Sequence, residues 1–197
     1  MTQCLVDLLY LFITLNHNIL KIFVYVDLDG TFTKTDMLYE SMVIALKSNP
    51  LLIFMLLPWL VCGKAYLKCK LSERANINTK VLPLNPNFHA FLIEEKSKNR
   101  KIVLATASNE KYAKSVCNDF DLFDSYISSD DVINLKGEAK LSKIKSISTE
   151  FSYAGNSSED FVLFSESKQS FFVNPSRKAR AMALKAHTTR VFGVEVL

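Results

Sequence analysis

Two carboxylates stand two residues apart at the end of an apolar run, in the stretch IFVYVDLDGTFTKTD (22–36). The run is typical of a buried strand, where an unpaired charge is costly. If Asp27 ends the strand and Asp29 turns back through Gly30, both side chains can face one small volume. They would repel each other unless a proton or a cation lies between them. Mg²⁺ suits such oxygen ligands and commonly brings a phosphate group with it.

The residues after these carboxylates fit an anion. Gly30 allows close approach of the backbone, and Thr31 offers an amide and a hydroxyl group. The alternative is a tight turn that binds nothing, and this segment alone leaves that alternative open.

A second apolar run, KIVLATAS (101–108), ends in Thr106 and Ser108 and is followed by a helical pattern. Hydroxyl groups and helix N-terminal amides at a strand end would form an anion cradle. A plain helix cap is the alternative. A third segment, YAGNSSED (153–160), adds the oxygen ligands of Asn156 and Asp160 after a turn.

Two lysines lie between these segments, in NLKGEAKLSKI (134–144). Lys136 and Lys140 stand near a predicted helix start, where the helix dipole disfavours a cation unless an anion is nearby. Surface lysines are the alternative for both.

The elements that must position these residues follow from hydrophobic periodicity. It predicts strands at 22–27, 101–106, 125–128, 151–155 and 170–173, and helices at 87–98, 110–120, 138–148 and 159–167. Strands that alternate with helices imply parallel pairing and an α/β sandwich around one sheet. In such sheets ligands bind beyond the carboxyl ends of the strands.

The alternation breaks between residues 37 and 82, which read as short helices interrupted at Pro50, Pro58 and Gly63. An insertion after the first strand would lie above the strand ends as a lid or cap.

Composition narrows the function classes. With 197 residues, 49% hydrophobic and 22% charged, the chain fits one globular unit with an insertion. Its four cysteines form no CxxC pair, which argues against zinc and for reduced thiols in the cytoplasm. The net charge of +4 is spread over 64–70, 96–101 and 177–190, so a solvated basic surface is preferred to nucleic-acid binding.

Two apolar stretches bear on membranes. CLVDLLYLFITL (4–15) contains an aspartate and lacks a positive flank, so it makes a poor signal peptide. LLIFMLLPWLVCG (51–63) has about 13 uncharged residues where a span needs about 20. Neither is predicted to cross a bilayer, but the second suits contact with a membrane surface or a membrane partner.

In order and spacing, VDLDGT, a strand ending in Thr106, a lysine at a helix start and GNSSED resemble the four motifs of the haloacid dehalogenase (HAD) superfamily of phosphohydrolases. The resemblance covers residues 22–175 and implies a Rossmann-like parallel sheet sandwiched by helices, with a small helical cap after the first strand. We expect a core at 22–36 and 83–197, a cap at 37–82 and a helical N-terminal extension at 1–21.

A closer likeness adds VDLDGTFTKTDMLYES, NPLLIFMLLPWLVCGKAYLK, LATASNEKYA and VNPSRKA. Together these segments look like the HAD-type domain that precedes UbiA-type membrane prenyltransferases, such as decaprenyl-phosphate phosphoribose synthase-like proteins. This implies a cytoplasmic protein, peripheral at the inner face of the membrane, with residues 51–60, from Leu51 to Leu60, as its contact. A stand-alone copy, a split gene and a fragment of a fusion all fit a chain that ends at Leu197.

The resemblance implies catalytic roles for four residues. Asp27 would be the nucleophile that forms an aspartyl-phosphate, and Asp29 the general acid and base. Thr106 and Lys140 would hold the phosphoryl oxygens, with Lys136 as the alternative lysine.

The resemblance also implies a binding set. Residues expected to bind the phosphate group are Gly30, Thr31, Ala107 and Ser108. Residues expected to hold Mg²⁺ are Asp27, Asp29 through its backbone carbonyl, Asn156 and Asp160.

Asn156 departs from the pattern, because many active members carry a carboxylate there. Loss of one charge about 4 Å from the metal removes on the order of 4 kcal/mol of attraction at an effective dielectric of 20. Two functions are therefore expected to compete. One is Mg²⁺-dependent hydrolysis of a small phosphate monoester, and the other is a catalytically weak domain that regulates or docks onto a membrane prenyltransferase.

Overall fold

The computed structural model describes residues 23–183 and 189–192. Within these residues, one sheet of six parallel strands has the order β3-β2-β1-β4-β5-β6. The strands are β1 (Phe23–Val26), β2 (Ile102–Asn109), β3 (Ser125–Ser129), β4 (Phe151–Gly155), β5 (Gln169–Val173) and β6 (Thr189–Phe192). The five predicted strands are present, and β6 was not predicted. The extension expected at 1–21 lies outside the described residues.

Helices connect the strands and cover the sheet. In chain order they are α1 (Met37–Ser48), α2 (Ile53–Val61), α3 (Lys64–Ser72), α4 (Pro86–Ser97), α5 (Glu110–Asp119), α6 (Glu138–Lys145), α7 (Phe161–Glu166) and α8 (Arg177–Ala183). Polar side chains start several of them: Asp36 accepts hydrogen bonds from the first turn of α1, Asn85 from that of α4 and Asn109 from that of α5. The first three helices lie between β1 and β2, in the segment predicted to be the cap, and we call residues 37–82 the cap.

Strand β1 lies in the middle of the sheet, paired with β2 and β4. Val24 and Val26 pack into the hydrophobic cluster on one face, and Tyr25 packs into the cluster on the other. Burial on both faces explains why the strand reads as a continuous apolar run. Asp27 directly follows this strand, and its amide donates to the carbonyl oxygen of Ala154 at 2.9 Å, which continues the pairing with β4.

The cap has a small core of its own, formed by Ala45, Trp59 and Leu71. The guanidinium of Arg74 lies 4.8 Å from the centroid of the Trp59 ring. Trp59 is the buried residue of α2, whereas its neighbours Phe54 and Val61 are 75% and 81% exposed. Helix α2 therefore presents most of its apolar side chains to the surroundings. No helix in the described part of the chain is long and apolar enough to cross a bilayer.

A buried ion pair ties the helical layer to the sheet. Nη1 of Arg100 lies 2.5 Å from Oε2 of Glu95 in α4, and the two side chains are 3% and 7% exposed. Nη2 of the same guanidinium donates to Oγ of Ser152 in β4 at 2.6 Å, and Nη1 donates to Oε1 of Gln169 in β5 at 3.1 Å. Arg100 belongs to the run 96–101, which was expected to be a solvated basic surface. This residue is therefore an exception, because it is part of the interior.

Replacement of this arginine is expected to destabilise the fold strongly. Arg100→Ala removes the buried guanidinium from Glu95 and leaves that carboxylate with the half-exposed Lys98 at 2.9 Å. Loss of the buried partner should lower the free energy of unfolding by about 3–5 kcal/mol. Lys101→Ala is the matched control, because it removes an exposed pair with Asp124 at 3.4 Å and should cost less than about 1 kcal/mol. Urea unfolding measures both, and equal losses would contradict the assignment.

Candidate active site

The site lies at the carboxyl edge of the three central strands. Asp27 follows β1, Thr106 lies in β2, and Asn156 follows β4, and these three strands are neighbours in the sheet. Residues far apart in sequence therefore meet at one edge, as expected for parallel strands. Asp27 and Thr106 are both buried there.

Lys140 is at the centre of this cluster. Its Nζ lies 2.9 Å from Oδ1 of Asp27 and 3.8 Å from Oδ1 of Asp160, and it donates to the hydroxyl of Tyr153 at 3.1 Å. Lys136 instead pairs with Glu159, and both of these side chains are largely exposed. Of the two lysines that the sequence left open, the structure brings Lys140 to the carboxylates.

The ammonium group of Lys140 would be unfavourable at this position without nearby carboxylates. Its side chain is 2% exposed, and it belongs to the first turn of α6, where the helix dipole disfavours a cation. Burial acts to lower its pKa, but the charges of Asp27 and Asp160 outweigh burial and raise the pKa above the usual value of lysine. The ammonium therefore stays charged because the carboxylates surround it.

Asp29 is held by two donors from different parts of the chain. The backbone amide of Met37 donates to its Oδ1 at 2.7 Å, and Oγ of Ser108 donates to its Oδ2 at 2.6 Å. Burial, followed by the nearby charge of Asp27, raises the pKa of Asp29 to about 7. A carboxyl group with that pKa can both give and take a proton near neutral pH.

A tight turn follows the two aspartates. Gly30 has a φ of +73°, and a Cβ on it would lie 2.1 Å from Nδ2 of Asn156. The amides of Gly30 and Thr31 donate to the carbonyl oxygens of Thr35 and Leu28 at 3.2 and 3.3 Å. The hydroxyl of Thr31 is buried, with no hydrogen-bond partner among the described residues. Gly30 and Thr31 thus shape the turn, and the free amide that the sequence led us to expect is used within it.

The segment after β2 is arranged by its own polar groups. The amide of Ser108 donates to Oγ1 of Thr106 at 2.9 Å, which curls the strand end back on itself. The carbonyl oxygen of Ala107 accepts from Oγ of Ser129 at 2.8 Å and from Nζ of Lys68 at 2.5 Å. Thr106, Ala107 and Ser108 therefore lie together beside Asp29, and their role as phosphate-binding residues stays a prediction.

Lys68 and Tyr153 were not predicted as site residues. Lys68 projects from cap helix α3, and Nζ also donates to Oδ1 of Asn134 at 3.1 Å. Burial lowers its pKa, although the nearby charges of Asp29 and Asp36 act in the opposite direction. Both residues left only weak signals in the sequence. Lys68 is a lysine on a helix of the predicted lid, and Tyr153 lies on the same face of its strand as Gly155, the last residue of β4.

Asp160 faces Lys140 and Tyr153 rather than solvent, with 3% of the residue exposed. Burial raises its pKa to about 6, even though Lys140 acts to lower it. Gly155 makes this approach possible, because a Cβ there would lie 2.9 Å from Oδ2 of Asp160. Asp160 therefore contacts Lys140 and Tyr153, and its metal role stays a prediction.

The chemistry of the donors fits a hard cation. Among residues 23–183 and 189–192, no three His, Cys, Asp or Glu side chains are grouped so as to hold a metal ion. The predicted set instead combines the carboxylates of Asp27 and Asp160 with two neutral oxygens, the Asn156 amide and the backbone carbonyl of Asp29. Asn156 lies directly against the Gly30 turn, and oxygen-only ligands of this kind suit Mg²⁺.

No protein-family model matches the chain. The chain is 27% identical over 171 residues to the uncharacterized protein y4nM of Sinorhizobium fredii. The match covers 86% of this chain and 32% of that protein, so the chain spans about a third of the length of its relative.

Solved structures show the fold. A HAD family hydrolase of Salmonella enterica serovar Typhi superposes with a TM-score of 0.60 at 14% identity, over 85% of this chain and 66% of that one. A phosphoserine phosphatase, solved as its phospho-aspartyl intermediate analogue, gives a TM-score of 0.53 at 13% identity, over 86% and 92%. The chain therefore has the HAD-like α/β fold that its motifs implied. At these identities the likeness establishes the fold alone.

Proposed function

We propose that this chain is a Mg²⁺-dependent phosphohydrolase of the HAD type that hydrolyses a small phosphate monoester through an aspartyl-phosphate. One observation carries the proposal: Asp27 and Asp29 share one strand end with a buried lysine that contacts Asp27 at 2.9 Å. The fold shared with a phosphoserine phosphatase captured as a phospho-aspartyl analogue supports the covalent route.

The first step transfers the phosphoryl group to the protein. A carboxylate oxygen of Asp27 attacks phosphorus, and the bond from phosphorus to the ester oxygen breaks. Asp29 gives its proton to the departing alkoxide, so that the alcohol leaves neutral. Lys140 and the hydroxyl of Thr106 stabilise the charge that develops on the phosphoryl oxygens.

The second step releases phosphate. A water molecule attacks the phosphorus of the aspartyl-phosphate, Asp29 takes the proton from that water, and Asp27 is regenerated. Asp27, the backbone carbonyl of Asp29, Asn156 and Asp160 would hold Mg²⁺. When bound, this ion would offset the repulsion between the nucleophile and the anionic substrate.

Removal of the nucleophile tests the proposal. Asp27→Asn should lower kcat/KM for p-nitrophenyl phosphate in Mg²⁺ by at least ~10³-fold, because an amide cannot form the acyl phosphate. Lys140→Met should lower it by about 10²- to 10³-fold, because transition-state charge loses its partner. Lys136→Met is the matched control and should retain wild-type activity. Activity that survives Asp27→Asn would contradict the proposal.

Asn156 is expected to limit metal affinity. Asn156→Asp restores a charge where the resemblance places a metal ligand, and it should lower the Mg²⁺ concentration for half-maximal activity by about tenfold or more. Asn118→Asp adds the same charge on the exposed face of α5 and should leave the Mg²⁺ requirement unchanged. A titration of activity against Mg²⁺ measures both. An unchanged requirement in Asn156→Asp would exclude Asn156 from the metal site.

The exposed side chains of α2 favour a second candidate function. In this alternative the chain has weak activity and regulates or docks onto a membrane prenyltransferase through residues 51–60. The observation behind it is that Leu51, Phe54 and Leu57 are 70%, 75% and 68% exposed.

Sedimentation with membranes tests this alternative. The wild-type chain should pellet with membranes, and Leu51→Asn/Phe54→Asn should stay in the supernatant because apolar contact area is lost. The control Val81→Asn/Val132→Asn replaces residues of similar exposure, 74% and 81%, elsewhere on the surface and should still pellet. A wild-type chain that never pellets would rule this candidate out.

A further inference from the structure

The three helices of the cap enclose an apolar groove of about 560 Å³. This volume lies in the range of small-molecule pockets, about 300–1,000 Å³. Asp36 is the charged residue of its wall, and the rest is apolar apart from the phenol of Tyr39. The apolar residues on which the argument depends are Leu38, Met42, Leu57, Leu60, Leu67 and Leu71.

Two wall residues of the groove are sequence neighbours of residues that contact the candidate active site. Asp36 in its wall directly precedes Met37, whose amide donates to Oδ1 of Asp29 at 2.7 Å. Leu67 in the opposite wall directly precedes Lys68, whose Nζ contacts the carbonyl oxygen of Ala107 at 2.5 Å. Helices α1 and α3, which form these walls, therefore also contact the proposed general acid and the polar end of β2.

The polarity of the surroundings changes from the ionised groups of the site to the apolar walls of the groove. Lys140 and Lys68 supply positive charge at the strand ends, where a phosphate group would lie. Beyond Asp36 the walls carry no ionisable group other than the tyrosine. A ligand that matches both parts has an anionic head and an apolar tail.

We infer that the substrate is a phosphate monoester of an apolar alcohol, whose chain lies in the cap groove while its phosphate meets Asp27. This inference rests on the proposed phosphohydrolase function and adds the class of the leaving alcohol. An extended aliphatic chain in the groove leaves water and covers the walls formed by α1, α2 and α3.

A homologous series of alkyl phosphates tests the inference. The n-alkyl phosphates from butyl to decyl have leaving alcohols of nearly equal intrinsic reactivity, so their relative kcat/KM reports binding of the chain. Measured in monomeric solution, kcat/KM should rise about two- to fourfold for each added methylene until the groove is filled. The protein used is the full chain with Mg²⁺.

Two double variants assign the effect to the groove. Leu57→Asn/Leu60→Asn changes wall residues that are 68% and 44% exposed, so the fold should tolerate it. It should flatten the chain-length dependence of kcat/KM. Phe54→Asn/Val61→Asn changes residues of the same helix outside the groove wall and should keep the wild-type dependence.

The outcomes separate this inference from the proposed function. One result would overturn the inference and keep the proposed function: Asp27-dependent hydrolysis of p-nitrophenyl phosphate without any effect of chain length on kcat/KM. The groove would then be assigned to a protein partner. An equal chain-length dependence in both double variants also overturns it.

If no phosphate ester is hydrolysed, the proposed function fails. A binding measurement then tests whether the groove accepts an apolar chain. Trp59 is the single tryptophan of the chain and packs with Leu38 and Met42 of the groove wall, so its fluorescence should report an occupied groove. Saturable binding of decyl phosphate that Leu57→Asn/Leu60→Asn abolishes supports an apolar-chain site. Absence of binding overturns it.

Discussion

Three buried or half-buried carboxylates around one buried ammonium group are the constraint on which this structure depends. Asp27 repels both Asp29 and Asp160 in a poorly hydrated space, and burial is the main cause that raises the pKa of each of these two carboxyl groups, although Lys140 acts to lower that of Asp160. The close approach of these side chains depends on two residues without a Cβ atom as well as on direct contacts. Gly30 and Gly155 lack the Cβ atoms that would collide with Asn156 and Asp160, so these side chains can close on the strand ends. Packing of the central strand on both faces holds Asp27 in place.

The cap belongs to this site electrostatically as well as sterically. Its first helix supplies the amide that binds Asp29, and its third helix supplies the ammonium group of Lys68 beside Ala107. The same two helices form walls of the apolar groove. Under the proposed function, the same two helices would both select the alcohol and orient the acid. Such coupling is typical of enzymes that use remote binding energy to align the reacting groups.

Most of the fold and the main acidic residues could be predicted from the sequence, because strand burial and strand ends leave local signals. The β1 run and DLDGT predicted the central strand and its carboxylates, and the cap was visible as a loss of alternation. Long-range pairing was not visible. Lys68 and Arg100 lie in runs that look like ordinary basic surface, yet one reaches the site and the other is buried with Glu95. The choice between Lys140 and Lys136 likewise needed the three-dimensional register of α6.

The position of β1 in the sheet has a consequence for biosynthesis. Its partner β4 begins at Phe151, so one edge of the central strand stays unpaired until the chain has been made past residue 151. At about 5–20 residues per second, synthesis from Val26 to Phe151 takes roughly 6–25 s. During that interval Phe23–Val26 is an apolar strand with a free edge, which is a hazard for misassociation. Two aspartates directly follow this strand, and charges that flank an apolar strand oppose its association with other chains.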